Sequence, residues 1–292
     1  MHLSIRKTPA KTILVRSGLP GTDWVINPYN GCPFACMYCY AAQIARWKHP
    51  DDVWGSYVDV KTNAPELLSK ELTQLQKKSG KKNFGSIFFS SVTDPYNGVE
   101  VQYQLTRKCL AVLSDFGYEG EISILTKSLL VTRDIDILKK LENVSVGLTV
   151  TSTDDSVSRF LEVSAPPVAS RINALAMLRK EGVSTYAFIG PMLPYVVEKK
   201  EELETLIDTL KNAGVREIWF EHINLNPAIK DRLFSYLRKT KPSLIPLFEK
   251  TRLPSYQKSL DDFIYKMMKE RNLRIGGGSI IHHGKSKTFQ RT

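Results

Sequence analysis

Nowhere in its 292 residues does this chain string together the roughly 18 apolar residues that a membrane-spanning helix requires. A secretory leader is not expected either. The basic start (Arg6, Lys7, Lys11, Arg16) is followed only by Ile13-Leu14-Val15, which is too short for a signal core. Cysteine is scarce: four residues cannot staple a chain this long, so a disulfide scaffold is excluded and the usage suits a reducing cytoplasm. Acid is in deficit, with 30 Asp plus Glu against 41 Lys plus Arg, a net charge of +11. Such an excess favours a polyanionic partner through counterion release, nucleic acid first among them. Lysine also solubilises surfaces, and Lys77-Lys78 and Lys81-Lys82 around Gly80 read as a solvated loop. Internal repeats, low-complexity tracts and interdomain linkers are absent as well.

What is present is an alternation. Short β-branched or aromatic runs at Trp24–Asn27, Ser86–Ser90, Glu121–Leu125, Ser145–Val150, Ser184–Ile189 and Glu217–Glu221 read as strands. Amphipathic stretches lie between them. Ala64–Lys78 carries Leu67, Leu68, Leu72 and Leu75 at helical spacing, and Gln104–Leu113 puts Leu105, Cys109, Val112 and Leu113 on one face. Asp134–Leu141, Pro167–Lys180 and Glu201–Asn212 complete the set, with Gly182 and Gly214 where the last two end. The pattern predicts an α/β fold with parallel strands. From about Asn226 the chain reads as mainly helical up to Gly276-Gly277-Gly278. Three segments follow: a basic N-terminal stretch (1–22), the α/β unit (23–225) and a C-terminal extension packed on it (226–292).

Three of the four cysteines stand together as Cys32-Pro-Phe-Ala-Cys36-Met-Tyr38-Cys39-Tyr40, a C-x3-C-x2-C spacing, within the lead-in Asn27-Pro-Tyr-Asn-Gly31. Three thiolates can hold three irons of a [4Fe–4S] cluster and leave the fourth open to a small molecule. A zinc knuckle is the competing reading, but zinc wants four protein ligands. The only other thiol is Cys109, and the five histidines show no zinc-finger spacing to the triad.

The cysteine spacing, with Tyr38 before the last thiol, resembles the signature of radical S-adenosylmethionine enzymes. Further on, Ser90-Ser-Val-Thr93-Asp-Pro-Tyr96 with Glu100, together with the Asn-Pro-Tyr-x-Gly-Cys lead-in, is similar to the spore photoproduct lyase-like branch. The resemblance runs from about Ile13 to Asn224. It implies a partial (β/α)6 TIM-type barrel, a [4Fe–4S] cluster on Cys32, Cys36 and Cys39, and S-adenosylmethionine at the open iron. The sulfonium is then cleaved to a 5′-deoxyadenosyl radical, with a ferredoxin or flavodoxin as reductant.

In such folds ligands gather at the carboxyl ends of the strands, and the remaining candidates all fall there. Tyr38 is expected near the adenine. Ser90, Ser91 and Thr93 offer hydroxyls to the methionine amino group, and Lys127, in Leu125-Thr-Lys-Ser128, offers a compact positive charge to its carboxylate. Thr149 and Thr151 are candidates for the ribose or methionine contacts, and Pro191, in Gly190-Pro-Met-Leu-Pro194, for a wall against the adenine. Glu162 and Arg171 read as an ion pair that fixes a loop. Glu221 and His222 put a carboxylate and an imidazole at the last strand end, where they can bind substrate or move protons. Tyr40 matches the lyases' Tyr-Cys-Tyr and is a candidate radical relay. His282 and His283 are adjacent, so on a strand they point apart and do not share a metal.

One position departs from the family. Lyases carry a cysteine just after the second strand that returns a hydrogen atom to the thymine product. Here that place is Val92-Thr93-Asp94, and the spare thiol, Cys109, lies on an apolar helix face where a buried inert thiol is expected. Three functions stay open: a radical enzyme acting on nucleic acid, one modifying a peptide or small metabolite, and a zinc-binding nucleic-acid adaptor.

Overall fold

The computed structural model describes residues 3–283. Eleven strands run along the described residues: β1 (Ser4–Thr8), β2 (Leu14–Arg16), β3 (Trp24–Ile26), β4 (Tyr29–Asn30), β5 (Tyr57–Lys61), β6 (Ile87–Phe89), β7 (Ile122–Thr126), β8 (Val144–Thr149), β9 (Ser184–Ile189), β10 (Glu217–Phe220) and β11 (Arg274–Ile275). Eight form one sheet in the order β11-β10-β9-β8-β7-β6-β3-β2. From β3 to β11 every neighbouring pair is parallel, and β2 closes one edge antiparallel to β3. The six strands read from the sequence are β3, β6, β7, β8, β9 and β10, so the partial (β/α)6 barrel stands.

Helices Ala64–Ser79, Leu105–Phe116, Val168–Lys180 and Lys200–Asn212 cross between the strands. Their leucines meet the β-branched residues of the sheet in one continuous core, in which Leu68, Leu72, Leu110, Ile124, Val146, Leu175 and Leu206 are fully buried. One helix departs from expectation. The stretch predicted as Asp134–Leu141 is a 3-10 turn (Leu129–Asp134) leading into a single helical turn, Ile135–Leu138. Ser128 starts it by accepting the Leu130 N–H at 3.2 Å, and the fully buried Asp134 is held by Arg107 and Arg133 rather than by a helix.

The extension is helical at Pro227–Thr240, Ile245–Lys250 and Pro254–Glu270, the first capped by Asn226 accepting the Ile229 N–H. It then returns as β11 on the edge of β10, and the chain beyond continues that edge: Ile281 N–H bonds the Phe220 carbonyl, and His222 N–H bonds the Ile281 carbonyl.

A second, three-stranded sheet, β1-β5-β4, was not foreseen. Its centre, Tyr57-Val-Asp-Val-Lys61, is only five residues long and buried along its first four positions. The basic N-terminal segment therefore contributes two strands, β1 to this sheet and β2 to the barrel. His49 braces the small sheet from below: Nδ1 meets Asp52 at 2.8 Å, Nε2 meets Asp59 at 2.8 Å, and the ring stacks on Tyr57. Among the described residues no helix is long and apolar enough to cross a membrane.

Candidate active site

The cysteine loop leaves the small sheet through β4. Gly31 opens it at φ +84°, a left-handed conformation that suits glycine, and a Cβ there would sit 2.5 Å from the Tyr57 carbonyl oxygen. Thr93 Oγ1 donates to the Gly31 carbonyl at 2.6 Å and ties the loop to the segment after β6. Farther along, Met37 N–H bonds the Leu161 carbonyl and Ser164 N–H bonds the Phe34 carbonyl. Arg232, from the first helix of the extension, closes the other side: its Nε donates to the Met37 carbonyl at 3.0 Å and its Nη2 to the Cys39 carbonyl at 2.6 Å. Nothing local in the sequence marks Arg232, because its partners lie nearly 200 residues upstream.

All three thiols of the loop are free. Burial pushes each of them up, Cys36 to about 12, while Lys127 acts downward on Cys36 and Cys39. Buried thiols raised in this way ionise readily only beside a metal, which deprotonates a coordinating thiol outright.

Around the loop the strand ends converge. After β6, Ser90 sits at φ +67°, strained for a non-glycine residue, with a buried Oγ that has no hydrogen-bond partner. Asn27 buttresses the same segment, its Nδ2 donating to Ser91 Oγ and its Oδ1 accepting from Val92 N–H. Asp94 is a structural hub. It accepts from Tyr96 N–H, Thr126 Oγ1 and Lys127 N–H, at 2.9, 2.6 and 2.9 Å. Glu100 is another, fully buried, accepting from Tyr29 OH, the Thr106 and Arg107 N–H groups and Arg133. The T-D-P-Y-x-x-x-E block thus shapes the loop, and its carboxylates are spent on backbone and partner groups.

Lys127 ends β7. Burial acts to lower its ammonium, but the charges of Cys36 (when ionised) and Glu162 together outweigh burial, and the net direction is upward. Among the described residues no carboxylate lies within ion-pair distance of its Nζ, which stands 5.8 Å over the Tyr38 ring. Tyr38 is buried and donates its hydroxyl to Glu162. Glu162 also accepts from Thr151 Oγ1 at 3.1 Å and lies 2.6 Å from Arg171 Nη1, with both ionic side chains 0% exposed. Thr149 is buried beside them, its carbonyl taking Arg171 Nη1 at 3.2 Å. Pro191 is buried after β9, where Met192 N–H bonds the Glu221 carbonyl.

The mouth separates Glu221 from His222. Tyr40 is 40% exposed, donates its hydroxyl to the Ser91 carbonyl, and has its ionisation raised by burial, then by Cys39 and Glu221. Glu221 therefore lies toward the cysteine loop. His222 is on the opposite side of the same strand, with Ile218 and Phe220, where its Nε2 meets Asp261 of helix Pro254–Glu270 at 2.8 Å. Cys109 is fully buried in the core with its thiol pushed up by burial. Helix Ala41–Ala45 carries the chain from Tyr40 to Arg46-Trp47-Lys48, all exposed, with Trp47 at 90%.

A parallel-stranded partial barrel with three free thiols in the loop after its first strand defines a class, and comparison gives it its family. The Radical SAM superfamily model matches residues 26–210, and the chain belongs to that superfamily. It is thereby an enzyme of the class that works with a [4Fe–4S] cluster and S-adenosylmethionine, which removes the reading as a zinc-binding adaptor. An uncharacterized protein of Methanocaldococcus jannaschii, MJ0683, is 32% identical over 275 residues, covering 94% of this chain and 97% of its own. A radical SAM Nalpha-GlyT isomerase of Pseudomonas phage M6 is 23% identical over 212 residues, 71% of this chain and 42% of that protein. Among solved structures, spore photoproduct lyase complexed with dinucleoside spore photoproduct superposes with a TM-score of 0.71 at 14% identity, over 93% of this chain and 81% of that one. At that identity the likeness is one of fold.

Proposed function

We propose that Cys32, Cys36 and Cys39 hold the cluster, that Ser90 and Lys127 receive the methionine end of S-adenosylmethionine, and that the substrate is nucleic acid. When bound, the cluster and S-adenosylmethionine supply a 5′-deoxyadenosyl radical that abstracts hydrogen from substrate. The observation that carries the reading is the set of available groups in one place: three thiols free of any disulfide, the orphaned Ser90 Oγ and the unpaired Lys127 ammonium. Buried polar groups are ordinarily satisfied, so a cluster of exceptions at strand ends fits a bound polar molecule.

The chain's own residues then divide the work. Lys127 balances the carboxylate, and Ser90, with Ser91 and Thr93 behind it, offers the amino group a hydroxyl. Tyr38 has its hydroxyl committed to Glu162, so it contributes ring surface. Thr151 is likewise engaged, and with Thr149 it forms the floor on the Glu162–Arg171 pair. Pro191 closes the wall after β9. Tyr40 and Glu221 face the mouth and are the residues we assign to substrate, Tyr40 as hydrogen-atom relay and Glu221 for proton transfer or hydrogen bonding. Valine at position 92 and the core burial of Cys109 leave no thiol for hydrogen return, which separates this reaction from that of spore photoproduct lyase.

The nucleic-acid assignment rests on Trp47, held open to solvent between Arg46 and Lys48 at the end of the cysteine loop, on a chain of net charge +11. An aromatic face between cations is the arrangement on which unpaired bases stack. A low-potential carrier such as ferredoxin or flavodoxin is the expected electron source, in the cytoplasm. The test is anaerobic purification, iron and sulfide analysis, and 5′-deoxyadenosine formation with dithionite and S-adenosylmethionine. DNA and RNA binding is then measured across salt. Four irons with deoxyadenosine and a steep salt slope are expected. Salt-insensitive turnover of a peptide or metabolite would transfer the chemistry to that substrate class instead.

A further inference from the structure

We propose that His222, Asp261 and His282 form a second metal site, separate from the cysteine loop, for a divalent first-row transition ion such as zinc. Three distant segments supply the ligands: the end of β10, helix Pro254–Glu270, and the returning chain after the triple glycine. His222 Nε2 lies 2.8 Å from Asp261 Oδ1, and His282 Nε2 lies 2.9 Å from Asp261 Oδ2. The two imidazole rings face each other with centroids 4.4 Å apart and a 32° interplanar angle. All three ligand atoms fall within 4.8 Å of one another.

Those distances suit a shared ion. Tetrahedral ligands each about 2.1 Å from zinc lie about 3.4 Å apart, so an opening of about half an ångström from the present contacts seats the ion. Two imidazoles and one carboxylate on one side of an ion leave its other positions open, a donor set that nitrogen-preferring ions such as zinc and iron accept. Both histidines turn the same nitrogen, Nε2, toward the one carboxylate. Without an ion, each Nε2 must carry a proton for its bond to Asp261. With an ion, both are free to ligate. His283 is excluded from the set: it points the other way and meets Glu221 Oε1 at 2.9 Å.

The site sits where few edge hydrogen bonds hold the returning chain. Phe220 and His222 bond Ile281 through two backbone contacts, and β11 has only two residues. A metal there fastens residues 281–283 to the barrel edge and to helix Pro254–Glu270 together. That in turn seats His283 against Glu221, on the mouth side of the same strand. The metal site is independent of which substrate the enzyme uses.

The test uses anaerobic, cluster-loaded full chain, dialysed against zinc chloride and then against metal-free buffer, with zinc and iron counted together. One zinc per chain is expected in the wild type. His282→Gln and Asp261→Asn should lose it, a drop of roughly a hundredfold or more in affinity, with the iron count unchanged. His283→Gln should retain it. His282 is 42% exposed, so its substitution leaves the core intact. Amide exchange of residues 278–283 should slow when zinc is added to the wild type and not to His282→Gln. Absence of zinc from the wild type would overturn the proposal. So would zinc retained by His282→Gln, which would place the ion elsewhere, or zinc lost equally from His283→Gln.

Discussion

Replacing Arg171 by Met should cost this protein more than any surface change. Arg171 and Glu162 are both 0% exposed and 2.6 Å apart, and without the guanidinium the carboxylate keeps only Tyr38 and Thr151. Breaking a buried pair by deleting one partner costs about 3 to 5 kcal/mol, because the remaining charge is uncompensated. The Pro166 and Thr149 carbonyls also lose their donors, which favours the upper end of that range. With an unfolding entropy near 2.1 cal/mol/K per residue, 292 residues give a melting temperature lower by roughly 5 to 8 °C. Deleting both charges, as Arg171→Met with Glu162→Gln, should recover at least half of the loss, since the desolvation burden disappears with the pair. The assay is anaerobic thermal unfolding of wild type, both single variants and the double variant at one scan rate. A shift under about 2 °C for Arg171→Met, or a double variant as unstable as the two singles combined, would refute the reasoning.

Other outcomes follow from the site. Cys36→Ala should lower bound iron and abolish deoxyadenosine, measured on anaerobic protein after reconstitution. Lys127→Gln should keep its iron but raise the S-adenosylmethionine concentration needed for deoxyadenosine formation at least about tenfold, as expected when a charge-assisted contact is lost. Trp47→Ala should weaken single-stranded nucleic-acid binding by about 1 to 3 kcal/mol while leaving the substrate-independent release of deoxyadenosine unchanged. Lys61 sets a pH dependence. Burial, then repulsion from Lys48, lowers its ammonium from 10.5 to about 8 in the fold. Between those values the unfolded chain binds more protons than the folded one, so stability rises with pH across that window and is lowest below it. Denaturation near pH 7 and near pH 10 should show a gain of about 2 to 3 kcal/mol that Lys61→Met removes.

The barrel was legible in the sequence because its strands are short, β-branched and separated by leucine-spaced helices, each of which finds its own local partners. The cysteine loop was legible because three thiols at fixed spacing have few structural uses. What escaped reading is non-local. Strand β5 is five residues whose identity as a strand depends on β1, some 50 positions earlier. Arg232 has meaning only beside carbonyls it meets in the fold. Glu221 and His222 looked alike in sequence, yet strand alternation sends one to the mouth and the other to Asp261, a residue in no recognisable motif. Asp94 and Glu100 stood out as part of a branch-like motif, and the fold gives them work in holding backbone.

The clamp of Arg232 on the Met37 and Cys39 carbonyls sets an order of events during synthesis. When Cys39 leaves the ribosome, the residue that closes its loop is still nearly two hundred codons away. The thiols are thus exposed to whatever metal or oxidant the nascent chain meets before their pocket exists. If the three thiols take the proposed cluster, its finished receptacle exists only once the helix carrying Arg232 has closed on the loop like a bolt.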